Sequence, residues 1–261
     1  MTAPFSPPAA AWAQVRAAQG REPADLVVRD CRLVNVYSAE VHAADLAIKD
    51  GLIVAIRTGY DGGARRVVDA GGRLVIPGLV ASRLAGDPAA SPGPGVTSVV
   101  QDVTAGEAPP EPESSLRQWS AARIGVPAVL QGAAVTATSG AEARRLIRLG
   151  LAAFPVPVFG AEGIREILNT LGTARVDLAR ICLGRVGGLA AAAAVREALG
   201  TGIRPAEAVA LATLNPAIAY GLDHRIGSVT PGRFADFLLL DDLETLAIAA
   251  TFLGGVEVGH R

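Results

Sequence analysis

The chain has 261 residues, half of them apolar, with 24 basic and 25 acidic side chains and a formal net charge of −1. That length suffices for one large or two modest domains with a sizeable core, and the apolar content excludes a disordered chain. Balanced charge without a basic block excludes a nucleic-acid footprint, and no apolar run reaches the ~20 residues that span a bilayer, so neither nucleic acid nor membrane is an expected partner.

The start carries neither a basic stretch nor a long apolar one, so no secretory leader is expected. Cys31 and Cys182 lack a CxxC spacing and read as buried small hydrophobes, which suits a reducing cytoplasm. Lys49 is the only lysine.

In chain order, residues 1–23 form an Ala/Pro-rich lead with one helical stretch from Ala10 to Gln19. Short β-rich runs follow at Asp25–Val28 and Arg32–Val36, separated by the polar Arg29-Asp30. Asp45–Lys49 and Leu52–Ile56 flank Asp50-Gly51, the strongest short hairpin signal. Val67–Ala70 and Arg73–Ile76 read as another pair around Gly71-Gly72, and Pro77-Gly78 ends this antiparallel sheet.

The middle then alternates strands with helices. Strand patterns lie at Val96–Val100, Val126–Val135, Leu151–Phe159 (broken by Pro155 and Pro157) and Ile181–Leu183. Ser139–Glu142 fits a capping box at a helix start, a further helix runs from Glu162 to Leu171, and Leu189–Leu199 reads as a helix packed through small residues. Pro205 sits where a helix tolerates it, at the first position, and Asn215-Pro216 breaks that helix and starts a short one ending at Gly221. Gly227–Leu240 and Thr251–Val258 return to β character, so the expected β layer is built from both chain ends beside an α/β body.

Two stretches carry a family likeness. The first holds Glu22–Val28, Leu33–Val36, Ala44–Gly51 and Val75–Gly78; the second holds Ala210–Ala217, Tyr220–Gly227, Pro231–Asp236 and Leu240–Glu244. Together they resemble the two ends of the catalytic part of bacterial adenine deaminases, within the amidohydrolase superfamily. The resemblance implies an α/β fold with a TIM-like (β/α) barrel beside a small composite β-sandwich made from both chain ends. It places the sandwich at 24–77 and 226–261 and the barrel at 78–225. That barrel stretch is shorter than the ~200 residues a complete eight-unit barrel needs, so a truncated barrel is expected.

The resemblance also implies one or two divalent metals that activate water to attack C6 of adenine. A bound cation lowers the pKa of its water, and it needs several His or carboxylate ligands converging on one point. The three histidines, His42, His224 and His260, are spaced as unrelated surface residues. Where the family carries HxH after its Pro-Gly, this sequence has Arg83 and Ala85; where it carries Asp-Pro-His-Glu, only Asp102 remains. Ala153 stands in place of a carboxylate, and Gly184-Arg-Val-Gly-Gly188 where a strand-eight Asp belongs. No cofactor and no metal site are therefore expected, and no confident catalytic residue is assigned.

Arg83, Asp102 and Arg185 are the candidate ligand-binding residues, since a guanidinium in a metal's place favours an anion. The polar Asp102, Glu107, Asp177 and Arg185 fit solvated loop positions as well as acid–base roles. No GxSxG elbow or phosphate loop is present. Three functions follow. The first is a catalytically inactive homologue, a pseudoenzyme serving as scaffold or regulatory subunit, self-associated or paired with an active amidohydrolase-like partner. The second is an active hydrolase on C–N bonds, deaminating adenine or a related purine through an atypical site. The third is a purine-type small-molecule binding protein.

Overall fold

The computed structural model describes residues 9–82, 94–101, 128–131, 156–158, 181–183, 191–219 and 221–258. Its spine is β1 (Ala24–Val34), one eleven-residue strand where two separate runs are expected. Arg29-Asp30 does not end the strand but bulges it: pairing with β2 (Val41–Lys49) runs from Leu26 to Val28 and resumes at Cys31. Asp30 takes a left-handed backbone (φ 51°), and its N–H donates to Asp45 Oδ1 at 3.0 Å. The polar pair thus bends the strand instead of terminating it.

The β2–β3 hairpin forms as the sequence predicts. Lys49 pairs with Leu52 at the start of β3 (Leu52–Arg57), and Asp50 (φ 52°) and Gly51 (φ 74°) supply the two left-handed residues of a type I′ turn. Asp25 steadies this turn by accepting from the Asp50 N–H at 2.9 Å and from Lys49 Nζ at 3.0 Å.

The expected pair around Gly71-Gly72 does not form. β4 (Ala64–Asp69) and β5 (Leu74–Pro77) both pair parallel to β1, the first beside its N-terminal half, the second beside Arg32 and Leu33. The glycines step the chain along one edge of β1 across its bulge, where Gly72 N–H reaches the Asp30 carbonyl at 2.7 Å.

The other edge of β5 takes β11 (Phe237–Asp242), antiparallel, followed by β12 (Ala247–Leu253) and β13 (Val256–Val258). The expected single stretch at Thr251–Val258 is therefore a hairpin over Gly254-Gly255, and Gly227–Asp236 is mostly turn rather than strand. Both chain ends do share one sheet, of order β13-β12-β11-β5-β1-β2-β3 with β4 beside β1.

This sheet folds back on itself. Arg66 of β4 meets Glu257 of β13 at 2.5 Å, and Ala235 N–H bonds the Gly51 carbonyl at 2.9 Å. Period-two alternation sends Leu26, Val28, Leu46, Ile48, Phe237 and Leu239 into the enclosed core. There the Phe237 and Phe252 rings stack with centroids 4.6 Å apart. Val27 and Ala47, on the opposite face, are covered from the side of α1 (Ala9–Ala18), whose Ala17 carbonyl accepts from the Tyr60 hydroxyl at 2.6 Å.

Leu238, Leu240 and Ile76 face a second core shared with the α/β body. In that body β6 (Leu79–Ser82), β7 (Val96–Gln101) and β8 (Ala128–Gln131) are parallel neighbours, as are β9 (Val156–Val158) and β10 (Ile181–Leu183). Helix α2 (Ala191–Leu199) buries Ala192, Val195 and Ala198. Helix α3 (Pro205–Leu211) starts on its proline, with Glu207 reaching back to the Arg204 N–H at 3.2 Å. Helix α4 (Leu214–Ala219) carries Asn215-Pro216 in its first turn. The capping box at Ser139–Glu142 and the helix expected over 162–171 lie outside the described residues.

Candidate functional site

In (β/α) barrels the chemistry collects at the C-terminal ends of the parallel strands. Here β6, β7 and β8 end at Ser82, Gln101 and Gln131, aligned so that Ser82 pairs with Val100 and Gln101 with Gln131. Three backbone bonds tie the start of β6 to the rest of the molecule. Gly78 N–H donates to the Asp236 carbonyl at 3.0 Å, Leu79 N–H to Gly95 at 3.0 Å and Val80 N–H to Ala212 at 2.8 Å.

Gly78 is required sterically. A Cβ there would stand 2.0 Å from Thr97 Oγ1. Thr97 and Ser98 are both buried, and Ser98 Oγ has no hydrogen-bond partner among the described residues. The stretches bearing the family likeness near the C-terminus support this edge from behind. Val80 packs with Ala217, Ile226 and Phe234, and Thr213 Oγ1 donates to the Val209 carbonyl at 2.9 Å.

Arg83 follows Ser82 in sequence, Asp102 follows Gln101, and Arg185 comes two residues after Leu183; all three lie outside the described residues. So do Ala85, Ala153, Gly184–Gly188 and His260. Of the remaining histidines, His42 opens on a cleft at the sheet end and His224 is exposed in the turn after α4. Among the described residues no three His, Cys, Asp or Glu side chains are placed to hold a metal. No chemical step is therefore derived through one.

A polar constellation that sequence reasoning missed joins Arg233, Tyr37, Ser228 and Thr230. Arg233 donates to the Tyr37 hydroxyl at 2.7 Å and to Ser228 Oγ at 2.5 Å. The sequence carries no signal for it, because the Tyr37–Arg233 contact spans 196 positions.

The perturbed groups belong to the frame. Burial and the Asp45 charge push the Cys31 thiol up to about 12, and its Sγ donates to the Ala44 carbonyl at 2.9 Å. Burial would raise Asp25, but the Asp50 N–H and the Lys49 ammonium, with Arg65, hold it below its ordinary value.

The model of the Amidohydrolase family matches residues 161–258. Adenine deaminase from Oleidesulfovibrio alaskensis is 27% identical over 350 residues, covering 94% of this chain and 60% of that protein. Adenine deaminase 1 from Desulfotalea psychrophila is 43% identical over 66 residues, 25% of this chain and 11% of that protein. The chain thus spans between about a tenth and three fifths of these curated relatives.

Among solved structures, β-aspartyl dipeptidase from Fervidobacterium islandicum superposes with a TM-score of 0.62 at 13% identity, covering 89% of this chain and 96% of that one. An adenosine deaminase from Xanthomonas campestris, solved with zinc bound, gives 0.54 at 15% identity, covering 90% and 93%.

A mixed sheet built from both chain ends, joined to parallel strands and helices, is a fold this chain shares with these solved structures, and its C-terminal part matches the Amidohydrolase family model. The sequence likeness is narrower. Along most of its length the chain is similar to adenine deaminases.

The expectation that no cofactor is involved does not stand. The adenosine deaminase from Xanthomonas campestris, which shares this fold, was solved with zinc bound. That expectation was built on ligand positions at Arg83, Ala85, Ala153 and Gly184–Gly188, which the described residues do not include.

Proposed function

We propose that this chain serves as a scaffold or regulatory subunit of an adenine deaminase-type assembly, and not as a self-sufficient deaminase. One observation carries the reading. The alignment to the Oleidesulfovibrio enzyme runs over 350 residues, while the whole chain has 261, so that relative carries segments this chain lacks.

The frame tolerates such shortening better than the chemistry does. A sheet closed by Arg66–Glu257 and a core stacked on Phe237–Phe252 require only their own residues. Hydrolytic deamination requires metal, water and base within hydrogen-bond reach of one another, and ~1 Å of misplacement costs on the order of a hundredfold in rate. A shortened barrel also exposes strand edges and apolar faces, which a second chain would cover. A divalent metal such as the Xanthomonas neighbour's zinc would supply activated water, so metal loading belongs in the test.

The experiment loads the purified full chain with Zn²⁺ or Mn²⁺, supplies adenine, follows ammonia release, and measures mass in solution by light scattering. No release above the uncatalysed rate, with a mass above that of one chain, is expected. Metal-stimulated release that disappears in Asp102→Asn, or a monomer at micromolar concentration, overturns the proposal.

A further inference from the structure

A cleft of about 280 Å³ opens between the end of β1, the start of β2 and residues 228–231. Its walls are apolar at Leu33, Ile56 and Val229, and its rim carries Tyr37, His42, Ser228 and Thr230. None of the residues lining it is acidic.

Arg233 stands behind this rim. Its guanidinium donates to Ser228 Oγ, the Tyr37 hydroxyl and the Ile226 carbonyl (3.2 Å), and lies 5.7 Å from the Tyr37 ring centroid. Among the described residues no carboxylate forms an ion pair with it. With no described carboxylate within ion-pair distance, the guanidinium charge acts on the hydroxyls it contacts.

The hydroxyl bookkeeping agrees with that sign. Tyr37 accepts from Arg233, so its own O–H is left to donate outward. Ser228 and Thr230 share one hydrogen across 2.6 Å, so one of the two hydroxyls keeps a hydrogen to donate. The rim therefore offers two O–H donors and an imidazole above an apolar floor, at the small end of ligand-cleft volumes.

The geometry points to a binding site for a small organic carboxylate with a compact apolar or aromatic body. The carboxylate oxygens take the Tyr37 and Ser228/Thr230 hydroxyls, whose donation the Arg233 charge strengthens, and the body rests on Leu33, Ile56 and Val229. The site lies on the sheet, apart from the C-terminal ends of β6–β8.

Benzoate serves as the probe and benzamide as its neutral isostere, titrated into the full chain by calorimetry and by proton NMR. Saturable one-to-one benzoate binding is expected, about tenfold tighter than benzamide. Tyr37→Phe, which keeps the exposed ring, is expected to weaken benzoate by about tenfold, the scale of one hydrogen bond to a charged group. The His42 imidazole resonances move during the titration while those of His224 stay. Absent saturation, equal affinity for benzamide, an unchanged Tyr37→Phe variant, or binding that leaves His42 unmoved each overturns the assignment.

Discussion

Gly78→Ala is the sharpest test of how the sheet and the α/β body are joined. An added Cβ would stand 2.0 Å from Thr97 Oγ1, 2.3 Å from Thr97 Cγ2 and 2.6 Å from Thr97 Cβ. Rotating Thr97 about χ1 moves the first two atoms and leaves the third, so a rotamer change does not cure the overlap. The backbone has little room to yield. Thr97 is 1% exposed in a strand paired on both sides, and Gly78 is tied to Asp236. Overpacking at so confined a position costs about 2 kcal/mol. Urea unfolding followed by circular dichroism should show a lower midpoint with an unchanged slope. Gly78→Ala/Thr97→Ala removes two of the three overlapping atoms, so its loss is expected to fall short of the summed single losses by about 1 kcal/mol. A Gly78→Ala loss within about 0.5 kcal/mol of zero, or strictly additive losses, would refute the reasoning.

Three further expectations test the frame. Phe237→Ala empties a fully buried position beside the Phe252 ring and is expected to cost about 4 kcal/mol by the same urea assay. Asp25→Asn weakens the contacts to Lys49 and Asp50 and is expected to cost about 1 kcal/mol at neutral pH. Because the native Asp25 lies below its ordinary 3.8, its contribution is present above that value and lost as pH falls through the lower native one, so wild-type and variant stabilities should begin to converge below 3.8 and meet only below the native value. Cys31, with its thiol raised to about 12 and 1% exposed, should resist iodoacetamide at pH 8 in the native protein and react in urea. Peptide mass mapping separates it from Cys182, and rapid native labelling of Cys31 would contradict the burial.

Local chemistry announced some elements and long-range pairing decided others. Asp50-Gly51 specifies a type I′ turn by itself, and Pro205 specifies a helix start by itself, so both stand where the sequence places them. Gly71-Gly72 and Gly254-Gly255 look alike and have the same positive φ, yet only the second turns a hairpin. The difference lies at Asp30, some forty positions upstream of Gly71-Gly72, where the bulge in β1 presents a carbonyl to Gly72. No local window contains that partner.

The same limit applies to function. Arg233, Tyr37 and Ser228 meet only after the chain ends have come together. The metal expectation failed for another reason, since it counted ligands along the sequence, whereas a neighbour sharing the fold was solved with zinc bound.

The pairing of β5 with β11 also governs how the protein is made. At about 5–20 residues per second, the ribosome needs roughly 10 to 30 s after delivering Pro77 to deliver Phe237. Throughout that interval the nascent N-terminal strands hold a half-finished sheet whose open rim waits for its own tail, a natural client for a chaperone during synthesis.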